Sequence, residues 1–137
     1  IEVKSNEVFF LRDNQLVFPV AAKEKLVKKA DGWALDIYVF SPRPLDDLLI
    51  EPNMPKLTLV VKAKECQLAI NDKAYVAASQ NRHEATYKEL PLLQGWNKVS
   101  IKIGERDKNE FSGNFRCDNR NEFLSSLKVM FVNPEVK

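Results

Sequence analysis

Over residues 98–103 apolar and polar positions alternate strictly. Val99, Ile101 and Ile103 fall on one face of an extended chain, and Lys98, Ser100 and Lys102 fall on the other. A strand of this kind is half buried, its aliphatic side against a core and its polar side toward water. Just before it, Gly95 offers a backbone free to take positive φ, and Asn97 a side chain able to bond the neighbouring backbone, so a turn leads into the strand.

The same two-residue period recurs along the chain. Residues 7–11 and 15–20 flank the polar turn Arg12, Asp13 and Asn14, and read as a hairpin or two consecutive strands. Residues 21–30 have the only helical look, too poor in apolar positions for more than a short turn, and Asp31 with Gly32 ends it before an aromatic and β-branched strand at 33–40. Pro42 and Pro44 forbid a central strand and begin a connection. Residues 45–50 form a short strand or turn, 51–55 a second connection, and 57–63 a clear strand. Next, 66–70 and 74–77 surround Asn71, Asp72 and Lys73 as a tight β-ribbon, 79–82 is a polar loop, and 83–90 is a strand. Asp107, Lys108 and Asn109 turn the chain into a strand at 110–117, and 127–132 is the last. About ten short strands at close spacing predict an all-β, two-sheet antiparallel sandwich of jelly-roll type with at most one short helix. Parallel α/β architectures need crossover helices for which there is no room.

Composition narrows the class without changing it. The chain has 137 residues, 45% apolar and 29% charged, as expected of one soluble β-sandwich domain spanning 1–137. Its first residue is Ile, with no basic segment leading into an apolar stretch, and it reads as a mature or excised piece of a larger chain. No apolar run reaches membrane-span length. A net charge of +2 is too balanced to favour nucleic acid, and Glu24 dilutes the basic cluster of Lys23, Lys25, Lys28 and Lys29, which reads as a solvated face. Cys66 and Cys117 lack metal spacing. Each shares parity with buried apolar neighbours, and they are either a free buried pair or a disulfide closing a loop of about 50 residues, worth roughly 4 kcal/mol in the chain-entropy treatment.

From residue 33 onward the order of signals resembles the galactose-binding-like β-sandwich modules attached to secreted polysaccharide-degrading enzymes. The resemblance rests on the strand WALDIYVFSP at 33–42, on LAINDK at 68–73, where such modules carry an Asn-Gly hairpin, and on LLQGWNKV at 92–99, close to their Gly-Trp-Asn signature. Asp72 stands where the family usually has Gly. The resemblance implies a jelly-roll, a secreted, periplasmic or cell-surface location, and an accessory role beside a neighbouring catalytic domain; it does not itself supply a ligand, and an oligosaccharide or polysaccharide is the partner expected under the binding reading. The resemblance also implies no cofactor, although some modules of this type hold a structural calcium.

Catalysis finds few candidates, and the chain is expected not to be an enzyme. His83 is the sole histidine, no serine sits in a GxSxG setting, and the adjacent carboxylates Asp46 and Asp47 would point apart on a strand. Sugar recognition uses aromatic faces for the CH-rich side of a pyranose and polar neighbours for its hydroxyls. Trp33, Tyr38, Tyr75, Tyr87 and Trp96 are available. Trp96, beside the turn glycine, is expected to anchor the core, and Trp33, Tyr75 and Tyr87 with Arg82 are the expected carbohydrate-binding set. Two functions follow: an accessory carbohydrate-binding module, or a structural domain that stabilises or orients a neighbouring catalytic domain without a ligand of its own.

Overall fold

A computed structural model describes residues 10–12, 15–18, 20–41, 57–93, 95–117 and 127–130. These residues build two antiparallel sheets packed face to face. The first sheet contains β1 (Phe10–Arg12), β2 (Gln15–Phe18), β5 (Leu57–Val61), β8 (Ser79–Gln80), β9 (Ala85–Leu90) and β11 (Gly113–Cys117), in the order β1-β2-β11-β5-β9-β8. The second contains β4 (Gly32–Ser41), β6 (Cys66–Ile70), β7 (Lys73–Tyr75), β10 (Gly95–Gly104) and β12 (Lys128–Met130), in the order β12-β4-β10-β6-β7, with β3 (Val27–Lys29) also paired to β4. The expected all-β, two-sheet antiparallel sandwich is the observed architecture. No helix among the described residues is long and apolar enough to cross a membrane.

Period-two patterning places the core. Leu35, Ile37 and Val39 of β4 meet Val99, Ile101 and Ile103 of β10 on the inner face of one sheet. Leu57, Leu59 and Val61 with Phe115 and Phe18 line the inner face of the other, all 4% exposed or less. Phe18 lies at the centre, its ring 5.7 Å from Phe111 and 6.1 Å from Phe115. Gly113 has no side chain because the Val60 carbonyl and the Phe18 ring occupy the space a Cβ would need.

Several boundaries differ from expectation for identifiable reasons. The helical segment is a 3₁₀ turn, Val20–Lys25, and the rest of the expected 21–30 stretch is β3, whose residues are all exposed. Pairing of Val27 with Ala34 and Lys29 with Gly32 along the edge of β4 prevails over a weak helical pattern. Ser79 and Gln80, expected in a loop, pair with Thr86 and Ala85. The 110–117 strand starts only at Gly113, because a 3₁₀ turn occupies Lys108–Glu110. Residues 45–50 and 51–55, together with Asp46 and Asp47, lie outside the described residues.

A bulge explains the one break in period on β9. Leu57 faces Leu90 and Leu59 faces Tyr87, so β9 spends one residue more than β5. Glu89 absorbs it at φ 55, and both Tyr87 and Leu90 consequently point into the core.

Asn97 ties the two pieces of chain that carried the Gly-Trp-Asn and Asn-Asp signatures. It is 0% exposed at an inward position of β10. Its Nδ2 donates to Leu93 O at 2.9 Å, Gly95 O at 3.2 Å and Val39 O at 3.3 Å. Its Oδ1 accepts from Leu93 N at 2.9 Å and from Asn71 Nδ2 at 2.9 Å. Asn71 in turn accepts from Lys98 N at 2.9 Å, and Asn71 and Asp72 take φ of 51 and 70, as the ribbon turn requires. Inward placement of Asn97 sends Trp96 outward. Trp96 therefore does not anchor the core: it is half-buried on the outer face, edge-on to Phe40 with ring centroids 5.2 Å apart.

Candidate functional site

The outer face of the second sheet is set by register. Ser100 lies opposite Asp36 on one side and Ala69 on the other, and Ala69 lies opposite Ala74. One row along, Lys102 is flanked by Ala34 and Gln67. Alternation points all of these away from the core. Because Ala34, Ala69 and Ala74 are small, the face sinks into a trough with a volume of 530 Å³, within the range of about 300–1,000 Å³ typical of small-molecule sites. Its floor is apolar. Asp36 and Ser100 supply an acceptor and a hydroxyl, Gln67 an amide, and Lys102 a cation at the rim.

Neighbouring charges are arranged around this floor. Lys102 Nζ sits 2.8 Å from Asp31, and the lysine's hydrogen bond and charge hold the Asp31 carboxyl below its ordinary range. Lys98 Nζ sits 3.0 Å from Asp72, whose hydrogen bond and charge raise the lysine. Partial burial, followed by the Asp36 carboxylate, raises the Tyr38 hydroxyl. Farther along the face, Lys128 Nζ lies 5.6 Å from the centre of the Phe40 ring.

At one end of the trough β6 runs past β7, and Tyr87 reaches the uncovered edge, its hydroxyl donating to Cys66 O at 3.3 Å. Burial pushes the Cys66 thiol up to about 11 despite the hydrogen bond from Tyr87, and burial plus the thiol raise the Tyr87 hydroxyl in turn. Cys66 and Cys117 are not joined by a disulfide. Cys66 holds little thiolate near neutral pH and is not an activated nucleophile.

The aromatic residues singled out from sequence do not form one surface. Tyr75 and Tyr87 both line the trough, but Tyr87 is a core residue at 2% exposure with no free ring face for stacking. Tyr75 is half-buried, with Lys73 Nζ 5.7 Å from its ring centre. Trp33 is also half-buried, packed against the core. Its indole donates to Glu105 O at 3.3 Å, and its ring carries Lys108 Nζ at 3.9 Å and Lys28 Nζ at 5.5 Å. Cations thus already cover the indole. Arg82 lies elsewhere, beside His83 in a separate polar cleft. Sequence reading missed Asp36, Ser100, Gln67 and the alanines. Their signal was available as polar and small residues at outward positions of clear strands.

Among known proteins, the chain matches no family model, no curated protein and no solved structure. Asp36 is the one acidic side chain among the described residues lining the trough, whereas glycoside hydrolysis needs carboxyl groups on both sides of the scissile bond. Among the described residues no three His, Cys, Asp or Glu side chains converge as a metal site would require.

Proposed function

We propose that this chain is a non-catalytic module that binds a saccharide on the outer face of its second sheet, as an accessory to a secreted polysaccharide-degrading protein. The trough carries the reading: an apolar floor of alanines with Asp36, Ser100 and Gln67 at its edges suits the CH-rich face and hydroxyl rim of a pyranose. Stacking on the expected tryptophan and tyrosine set contributes little to this reading. Tyr75 borders the trough only at the β7 edge, because its register opposite inward-facing Leu68 packs it against the core. The likeness to galactose-binding-like modules rests on the order of strand, Asn-Asp ribbon and Gly-Trp-Asn segment in the sequence.

The competing reading, a domain that braces a catalytic neighbour without a ligand, calls for one contiguous apolar patch. Among the described residues, the exposed large apolar side chains include Val27 in β3 and Val76 just after β7, at opposite edges of the second sheet, which favours the binding reading.

Calorimetric titration with a panel of neutral plant and bacterial polysaccharides tests the proposal. At least one should bind, Ala69→Trp should abolish that binding by filling the floor, and Asp36→Ala should weaken it by about tenfold through loss of a charged hydrogen bond. Absence of binding across the panel, or binding indifferent to Ala69→Trp, would overturn it.

A further inference from the structure

A second cleft, of 410 Å³, shares no lining residue with the trough. It opens between the connection after β5, the turn joining β8 to β9, and the segment around Lys108–Glu110. We infer that this cleft binds the anionic group of an acidic saccharide, a uronate carboxylate or a sulfate ester.

Among the described residues the cleft's cations are uncommitted. Lys62, Lys64 and Arg82 line it with His83, and none of them forms an ion pair among the described residues. Two carboxylates line it as well, but they are not equivalent. Asp107 is engaged with backbone: Oδ1 accepts from Lys64 N at 2.9 Å, and Oδ2 accepts from Glu65 N at 3.0 Å and Gly104 N at 3.2 Å. Its charge is spread into those amides, which among the described lining residues leaves exposed Glu110 as the one carboxylate free to oppose the three cations. The formal balance stays positive. A wall of lysine and arginine with no ion-pair partner among the described residues attracts an anion, and the planar guanidinium can grip a carboxylate or sulfate by two parallel hydrogen bonds.

The backbone that presents these cations is already fixed. Gln80 Nε2 lies 3.2 Å from Ala63 O, 2.7 Å from Asn81 O and 3.1 Å from Glu84 O, fastening the β8–β9 turn to the segment that bears Lys62 and Lys64. Within the turn, Asn81 Oδ1 accepts from His83 N at 2.7 Å and Glu84 N at 2.9 Å, an Asx arrangement that leaves Arg82 and His83 exposed at the tip. Lys62 N donates to Ser112 O at 2.8 Å and closes the remaining side. A ligand therefore orders side chains but little backbone on binding. Asn109 and the Ser112 hydroxyl add neutral hydrogen-bonding groups beside the cations, as a sugar ring carrying the anion would use.

The saccharide part of this inference rests on the function proposed above, whereas the anion site rests on the cleft alone. The test titrates the full chain with oligogalacturonate, with a sulfated heparin-type oligosaccharide, with a neutral galactan oligosaccharide and with sodium sulfate. At least one acidic oligosaccharide should bind more tightly at low than at high salt. Arg82→Ala and the double variant Lys62→Ala with Lys64→Ala should each weaken it by about tenfold or more, and Ala69→Trp should leave it intact. All the substituted cleft residues are exposed, so these variants fold. Failure of both acidic oligosaccharides to bind, retention of binding in the cation variants, or equal affinity for free sulfate would overturn the inference. Failure of the trough reading shows separately, as loss of neutral-saccharide binding while acidic binding persists.

Discussion

The trough and the cleft are built by different means. The trough is a product of strand register: once Val99 and Ile101 face the core, Ser100 must face out opposite Asp36 and Ala69, and the ladder hydrogen bonds fix the spacing. The cleft is a product of turns held by a few polar side chains, Asp107, Gln80 and Asn81. A site on a sheet face inherits the stability of the whole sheet. A site between turns is as secure as the side chains that tie them, so the two should respond differently to substitution.

The largest effect should come from Asn97→Ala. It strips partners from Leu93 N and O, Val39 O and Asn71 Nδ2 together, the Val39 bond buried and the others partly so, and should cost about 3 kcal/mol, since an unsatisfied buried polar group costs about 1–3 kcal/mol. The outer face should keep its saccharide affinity for as long as the chain is folded, because Asn97 points the other way. Asp107→Ala supplies the contrast. Its hydrogen bonds are solvent-exposed, so the loss should be nearer about 1 kcal/mol, yet it should abolish acidic-saccharide binding by releasing the turn. Urea denaturation of both variants beside titration with neutral and acidic sugars checks the pair. Equal loss of both binding activities in Asp107→Ala would erase the distinction between the two sites.

Next in size is an alkaline effect at the edge of the trough. The Cys66 thiol ionises near 9 in the unfolded chain but only at about 11 in the folded one, where burial favours the neutral form. The folded state therefore holds its proton longer. Its advantage is complete below pH 9 and is lost as pH rises from 9 to 11, by about 2–3 kcal/mol in all. Tyr87, also raised by burial, extends the loss to higher pH. Cys66→Ala should flatten the decline between pH 9 and 11 in urea midpoints measured across that window. An unchanged slope would place the alkaline weakness elsewhere.

This contrast also explains what the chain reveals when read alone. The strands at 33–40, 66–70 and 98–103 were legible because one face of each is buried, which forces a period of two, and 57–61 because Leu57, Leu59 and Val61 keep that period even though Thr58 on its other face is buried too. The ribbon at Asn71 and Asp72 was legible because few residues tolerate positive φ. Trp96 misled because a large aromatic outweighed parity: Asn97 has the core-facing parity, and a polar residue can occupy it only because five hydrogen bonds satisfy it. β3 was hidden because its stability comes from pairing with β4, and its own residues are exposed. The cleft could not be read at all. Lys62, Arg82 and Asp107 come from separate turns, and only the pairing of β5 with β9 and β11 brings those turns together.

The smallest effect isolates backbone strain from either site. Glu89 and Asp72 both hold φ above zero, Glu89 in the β9 bulge and Asp72 in the ribbon beside the trough. An L-residue there suffers a steric cost of about 1–2 kcal/mol, less for Asp, that glycine avoids, while glycine costs about 0.5–1 kcal/mol in added unfolded-state entropy. For Glu89 the first term is larger, so Glu89→Gly should raise stability by up to about 1 kcal/mol. Asp tolerates this conformation better and its carboxylate meets Lys98 at 3.0 Å, so Asp72→Gly should change stability by less than Glu89→Gly does. Thermal denaturation of the two variants side by side reads the difference. A larger gain at Asp72 than at Glu89 would mean that the ribbon, and with it the wall of the trough, is held under strain that the register alone does not impose.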